Sequence, residues 1–181
     1  ATVATGNEVA GMAVDPVRNR IFTANNLSGI AGTVTVVDGR TNQTQTWTVG
    51  TQPRCLAVNP LTGKLYVSIN GSSTNDTVVV FDTTGTIIKR LPVKKEPYSM
   101  VLDVDNDRLY VANYGSDTVS IFASDTLWLS YPVRDAPVAL TLNPVNHALF
   151  IRYMNSDTFG TLNLGWYSLM HLSDGTGVND I

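Results

Sequence analysis

The chain has 181 residues, of which 43% are apolar, 15% are charged and 8% are aromatic. This balance predicts a folded domain with a sizeable core, because disordered chains carry fewer apolar residues and more charge. The formal net charge of −3 disfavours nucleic acid as a partner, since nucleic-acid-binding domains are usually basic. No apolar run approaches the roughly 18 residues that cross a bilayer as a helix, so we expect no membrane span.

Four segments, taken in chain order, share one pattern: a strand, a turn rich in Asn, Gly, Ser and Asp, and a second strand. They cover residues 20–37, 64–81, 108–122 and 148–164. Apolar strands joined by such turns predict antiparallel hairpins. The spacing is regular, because 44 residues separate Tyr66 from Tyr110 and 40 separate Tyr110 from Phe150. The chain is therefore built from an internal repeat.

Each hairpin is framed by one further strand on either side. The preceding strands cover residues 9–16, 53–60, 97–103 and 137–144, and the following ones cover 44–49, 87–93, 128–133 and 166–172. Four short strands in each 40 to 45 residues are typical of a β-propeller blade. The sequence thus predicts an all-β fold, nearly without helix, made of about four four-stranded antiparallel blades. We place these blades at about residues 6–49, 50–93, 94–133 and 134–172.

The two ends of the chain fall inside further units of the repeat. Residues 175–181 match the frame of residues 50–56, which predicts the start of a further blade at residues 173–181. Residues 1–5 read as the end of a strand. The outer blades would then leave apolar faces uncovered. Either the four blades close alone, or a second chain completes a larger ring, or further blades make a seven- or eight-bladed propeller. The last two are favoured, because four blades close only with strongly wedge-shaped sheets.

The third hairpin carries the clearest motif. Residues 110–121 read YVANYGSDTVSI, and the second, first and fourth repeats have YVSIN, FTAN and FIRY at the matching place. The chain resembles the YVTN β-propeller repeat family, which is named for such a strand, over essentially all of residues 6–172. The resemblance implies a secreted, surface-layer or periplasmic binding or scaffold domain, usually with seven blades. Related propellers also include lactonases and dehydrogenase-associated chains.

One rim of the predicted propeller carries the candidate ligand-binding residues. In propellers, loops that enter each first strand lie on the same rim as the turns between the second and third strands. The candidates in these loops are Arg54, Lys94, Lys95, Tyr98 and Arg134, interspersed with Glu8, Glu96 and Asp135. Such a rim could concentrate an anionic sugar, a phosphate or the carboxylates of a protein partner. The alternative is a solvated rim whose charges pair with Glu96 and Asp135.

Metal and nucleophile signals are weak. Asp103, Asp105 and Asp107 resemble the opening of a calcium loop, but that loop needs Gly and Glu where this chain has Arg108 and Tyr114. An ordinary turn is favoured there, with a weak calcium site as the alternative. The two histidines, His147 and His171, lack metal-ligand spacing, and Cys55 fits a small buried residue better than a nucleophile. We expect no cofactor.

Two functions remain open from the sequence. The first is a non-enzymatic extracellular, cell-surface or periplasmic module that binds a protein or carbohydrate in adhesion or surface assembly. It rests on the repeat, the low charge and the surface rich in Thr and Asn. The second is an enzyme domain, lactonase-like or dehydrogenase-associated, with its site at the mouth of the central tunnel. A convergent acid, base and metal at that mouth would favour the enzyme.

Overall fold

The computed structural model describes residues 2–26, 31–71, 76–154 and 156–163. Within these ranges the chain forms fifteen β-strands and one short 3₁₀ turn at Tyr114–Ser116. The expectation of an all-β fold is confirmed. The fourth strand of the last blade, the further blade at residues 173–181 and His171 lie outside the described residues.

The strands form four antiparallel sheets in chain order, each a simple meander. The first sheet contains β1 (Val9–Asp15), β2 (Arg20–Asn25), β3 (Ala31–Asp38) and β4 (Thr44–Thr51). The second contains β5 (Pro53–Val58), β6 (Leu65–Ile69), β7 (Thr77–Phe81) and β8 (Ile87–Pro92). The third contains β9 (Pro97–Asp103), β10 (Arg108–Asn113), β11 (Thr118–Ala123) and β12 (Thr126–Pro132). The fourth contains β13 (Pro137–Leu142), β14 (Ala148–Tyr153) and β15 (Phe159–Asn163).

The core lies between the sheets, so each sheet is a blade that packs on its neighbours. Strands β6 and β7 are almost wholly buried, because both of their faces meet another blade, whereas the outer strand β8 is mostly exposed. Each junction has its own apolar cluster. The central members are Phe22, Val34, Leu65 and Val67 at the first junction, Tyr66, Val80, Leu109 and Val111 at the second, and Tyr110, Ile121, Leu149 and Ile151 at the third. Burial of each large side chain contributes about 1.5–3 kcal/mol.

The first strand of each blade is the innermost. Strands β1, β5, β9 and β13 lie side by side in that order, as strands around a common axis do. Space is short there: a Cβ on Gly11 would lie 2.5 Å from the carbonyl oxygen of Arg54. The blades are therefore fanned around a shared axis and form part of a propeller.

The first and third blades each bury an asparagine at the end of their second strand. The side-chain amide of Asn113 donates to the hydroxyls of Thr118 and Ser120, at 3.1 and 2.9 Å. Asn25 makes the corresponding bonds to Thr33 and Thr35 in the first blade. The last residue of the repeat's YVTN-like motif thus ties the second strand to the third and stabilises the hairpin.

A polar cluster joins the second and third blades at the opposite end of the strands. The Tyr66 hydroxyl donates to Oδ1 of Asp125 at 2.7 Å, and Lys64 Nζ lies 2.5 Å from Oδ2 of the same carboxylate. Burial raises the pKa of Tyr66, and its hydrogen bond to Asp125 and the charges of Asp125 and Asp107 raise it further. This carboxylate thus fixes the neighbouring blades against each other.

The outermost described faces are uncovered. Met12 of the first blade is 64% exposed, although the residues at its position in the next two blades, Leu56 and Met100, pack in junction clusters. On the free face of the fourth blade, Phe159 is 64% exposed and stacks on Phe150, with 5.8 Å between ring centroids. Both faces have the apolar character of a blade junction.

Candidate ligand-binding face

The rim that carries the predicted site is built from a repeated backbone geometry. We call it the upper rim; it consists of the loops that precede β1, β5, β9 and β13 and the turns that follow β2, β6, β10 and β14. The residue before each of these first strands has a left-handed φ: Glu8, Gln52, Glu96 and Ala136, at 51°, 50°, 59° and 44°. Each of these carbonyls accepts a backbone hydrogen bond from the residue that follows the second strand. The loops are therefore held in one conformation around the rim.

Two of the predicted site residues meet across the second junction. The guanidinium carbon of Arg54, on β5, lies 3.6 Å from the ring centroid of Tyr98, on β9. The Tyr98 ring also packs on Tyr114, with 5.5 Å between centroids and 40° between planes. All three side chains are half-buried. An Arg stacked by its flat face retains the N–H donors at its edge for an anion.

The loop 93–96, which carries Lys94 and Lys95, is fixed from both sides. The Asp76 carboxylate accepts the Glu96 N–H at 2.6 Å, and the Asp76 carbonyl accepts the Val93 N–H at 3.3 Å. The N–H of Gly115 donates to the Lys95 carbonyl at 3.0 Å. A Cβ on Gly115 would lie 3.0 Å from Cγ of Lys95 and from the Glu96 carboxylate, so the turn and the loop pass close to each other. Exposed Lys94 and Lys95 thus project from a rigid support.

Arg134 occupies the next loop and stands apart from this cluster. Asp117 holds that loop as Asp76 holds the previous one: its carboxylate accepts the Ala136 N–H at 2.7 Å and its carbonyl accepts the Val133 N–H at 2.9 Å. The Arg134 side chain is exposed and has no ion pair or ring contact among the described residues. The structure therefore brings together Arg54 and Tyr98, with Lys95 near Tyr114, and leaves Arg134 outside the cluster.

The electrostatics of the cluster favour an anion. In the described part of the chain, Lys95 has one ion pair, at 3.6 Å to the Glu96 carboxylate, and Arg54 has none. The Lys95 pair is largely exposed, and exposed pairs contribute only about 0–1 kcal/mol. An anionic ligand therefore has to displace only the weak Lys95–Glu96 pair. Arg54 has no acidic partner in the described residues that a ligand would have to replace.

The carboxylate of Asp103 in the candidate calcium turn is used in hydrogen bonds within the protein. Asp103 is buried, and its carboxylate accepts the Asn106 N–H at 3.3 Å and the Asn106 side-chain amide at 2.8 Å. Nδ1 of His147, from the next blade, lies 3.1 Å from the same carboxylate. Asp105 and Asp107 are exposed, and no three Asp, Glu, His or Cys side chains of the described ranges could jointly hold a metal ion. Asp103 thus closes its own turn and contacts the next blade.

Cys55 lies beneath the upper rim, beside Arg54. Its Sγ is 2.9 Å from Oγ of Ser68, which also accepts the Cys55 N–H at 3.0 Å. Burial raises the pKa of the Cys55 thiol to about 11, although Ser68 and Arg54 oppose the shift. The thiol is therefore protonated near neutral pH and is a poor nucleophile.

Three rim residues were not predicted from the sequence. Tyr114 was assigned to a turn, yet its ring extends the contact between Arg54 and Tyr98. Asp76 and Asp117 each stand directly before the Thr that begins a third strand, and this repeated Asp-Thr pair is the signal that could have identified them. Their carboxylates reach the next blade, which a pattern read within one repeat does not show.

The fold is that of a β-propeller, and the candidate ligand-binding face lies at the ends of its inner strands. A family model described as lactonase, seven-bladed β-propeller, matches residues 22–128, which is more than half of the chain. The chain belongs to this family. No curated protein matches the sequence. The described residues contain no helix with the length and hydrophobicity that crossing a lipid bilayer requires.

Solved structures support the same architecture. Hydrazine synthase of Kuenenia stuttgartiensis is 22% identical, with a TM-score of 0.75 over 90% of this chain and 47% of that one. A chain of a nidogen/laminin complex is 15% identical, with a TM-score of 0.70 over 87% of this chain and 61% of that one. A protein of unknown function from Desulfotomaculum acetoxidans DSM 771 is 15% identical, with a TM-score of 0.73 over 88% and 52%. The chain thus spans about half the length of these structures, and the likeness establishes fold alone.

Proposed function

We propose that this chain is a non-enzymatic binding module whose upper rim takes an anionic protein or glycan. The observation that carries the proposal is the stack of Arg54 on Tyr98, since a half-buried cation without an acidic partner is ready to receive one. The rigid loop with Lys94 and Lys95 adds positive charge beside it. A propeller of similar fold in a nidogen/laminin complex supports a protein-binding use of this architecture.

We place the module outside the cytoplasm, at the cell surface, in the periplasm or in a secreted protein, and assign it to adhesion or surface assembly. The surface rich in Thr and Asn and the YVTN-like motif support this placement. The ring is completed by further blades, because the family has seven and the uncovered faces at Met12 and Phe159 are apolar. A second chain that supplies the missing faces is the alternative, and the mass in solution distinguishes the two.

The direct test is binding of a panel of polyanions to the purified chain at low and moderate salt. We expect binding that weakens with salt and is lost when Arg54, Lys94 and Lys95 are reversed together to Glu. Reversal of three other exposed cations, Lys89 and Arg90 on the outer strand β8 and Arg40 in the turn before β4, provides a charge-matched control away from the rim. Unchanged binding in the rim variant, or equal loss in the control, would refute the proposal.

A second candidate is lactone hydrolysis, which the family match favours. An enzyme of this kind needs an acid or base placed at the tunnel mouth, and the rim offers Glu96, whose carboxylate lies 3.6 Å from Lys95 Nζ. Measuring acid release from a set of sugar lactones tests this candidate. Turnover that a Glu96→Gln substitution abolishes would establish the enzyme, and the absence of turnover would leave the binding module.

A further inference from the structure

The contacts around Tyr98 form a continuous row on the upper rim. Arg54 stacks on Tyr98, Tyr98 packs on Tyr114, and Lys95 passes against Gly115, the residue after Tyr114. We call Arg54, Tyr98, Tyr114 and Lys95 the rim row. The Arg54 guanidinium thus lies over one ring of an aromatic pair, and the stem of Lys95 and the Glu96 carboxylate pass beside the turn that carries the other ring. All four side chains of the rim row are partly or fully exposed.

The dimensions and chemistry of the rim row indicate an extended ligand. The two ring centroids alone are 5.5 Å apart, which is more than one carboxylate or phosphate group spans. The hydroxyls of Tyr98 and Tyr114 have no hydrogen-bond partner among the described residues and are partly exposed. The row therefore offers the Arg54 cation, apolar ring surface and free tyrosine hydroxyls, with a second cation on the neighbouring loop.

We propose that the rim row binds a linear acidic glycan whose sugar rings carry carboxylates. A pyranose ring packs its C–H face on an aromatic ring and turns its hydroxyls to polar partners, which Tyr98 and Tyr114 supply. The planar edge of Arg54 matches a carboxylate in bidentate fashion, and Lys95 meets a second anionic group. This inference rests on the proposed function and identifies the ligand of the same site.

An acidic peptide fits the rim row less well. The carboxylates of an acidic peptide would pair with Arg54 and Lys95 alone. Such a peptide has no rigid sugar rings that would pack on Tyr98 and Tyr114. The support of the row also suits a stiff ligand: backbone bonds from Tyr114 to Glu96 and from Gly115 to Lys95, at 2.8 and 3.0 Å, hold the loop that carries Lys95 against the turn that carries Tyr114. A site fixed in advance loses little entropy on binding a stiff chain.

The test is calorimetric titration of the purified chain with three probes: a short oligogalacturonate, the same oligomer as its methyl ester, and a poly-glutamate peptide of equal charge. We expect the oligogalacturonate to bind about tenfold or more tightly than either comparison probe. An Arg54→Gln substitution should weaken that binding about tenfold, since it removes the bidentate cation. Arg134→Gln, on the same rim but outside the row, should change it less than about twofold.

Tyr114→Leu separates recognition of sugar rings from simple charge attraction. This substitution should lower the affinity for the oligogalacturonate about fivefold or more and leave the weak binding of poly-glutamate unchanged. Urea unfolding of each variant checks that the propeller remains intact. If poly-glutamate binds through Arg54 as tightly as the oligogalacturonate, the glycan is refuted while the anion-binding face stands. If no anionic probe binds to the folded chain, both the glycan and the proposed function are refuted.

Discussion

Removing one hydroxyl tests whether polar contacts hold the blades together. A Tyr66→Phe substitution deletes the 2.7 Å bond to Asp125 and keeps the ring that fills the second junction. The bond joins a buried phenol to a carboxylate whose side chain is 10% exposed, and bonds to charged groups contribute about 1.5–3 kcal/mol. We therefore expect the substitution to lower the free energy of unfolding by about 1.5–3 kcal/mol. With a urea m-value of about 2 kcal/mol/M, the midpoint falls by about 1 M.

The repeat supplies the matched control. Tyr110 occupies the same position one blade later and is equally buried, but its hydroxyl has no carboxylate partner among the described residues. Burial raises the pKa of Tyr110, and the nearby Arg108 guanidinium opposes that rise. Tyr110→Phe removes no bond to an acidic group, so we expect a smaller fall of the midpoint than in Tyr66→Phe. Equal destabilisation by the two substitutions would refute the reasoning, since the effect would then come from the ring environment and not from Asp125.

The raised pKa of Tyr66 adds a pH dependence to the same comparison. Burial and Asp125 keep the folded-state hydroxyl protonated, whereas in the unfolded chain it loses its proton near pH 10. The unfolded state then binds fewer protons, so stability falls as pH rises above about 10. Tyr66→Phe should remove part of this fall between about pH 10 and 11.5. An identical pH profile in the variant would contradict the assignment.

Three further predictions concern the open face, the thiol and the upper rim. Met12→Ala should lower the free energy of unfolding in urea by less than about 0.5 kcal/mol, whereas Leu56→Ala should lower it by about 2–5 kcal/mol. Equal losses would show that the outer face of the first blade is covered. The Cys55 thiol should react with a disulfide reagent at pH 8 only after unfolding in denaturant, and rapid native labelling would contradict its raised pKa. Asp76→Ala should speed amide hydrogen exchange at Glu96 and leave Ala136 protected, and a uniform increase would instead indicate global destabilisation.

The strands could be predicted from the sequence because their signals are local. The alternation of apolar and polar residues, the turn residues and the period of 40 to 44 residues predict the first strand at residues 9–16. The structure has β1 at Val9–Asp15. Arg54 and Tyr98 were also assigned to one rim. Their stacking could not be predicted, since it depends on how far two blades rotate about the axis. The hydrogen bond from the Glu96 N–H to the Asp76 carboxylate cannot be predicted for the same reason, because it joins residues of neighbouring blades.

The position of Arg54 shows how a repeat scaffold combines a constant backbone with a variable rim. The second residue of the inner strand is Ala10, Arg54, Tyr98 and Val138 in the four blades, while the backbone around it keeps one geometry. Core positions behave differently, since Phe22, Tyr66 and Tyr110, at one position of the repeat, each place an aromatic ring in the cluster that joins their blade to the next. Packing therefore fixes residue type where blades meet, and it leaves the rim free to vary. A cation beside a tyrosine at the second junction is a departure that packing does not demand, and ligand binding gives it a physical reason.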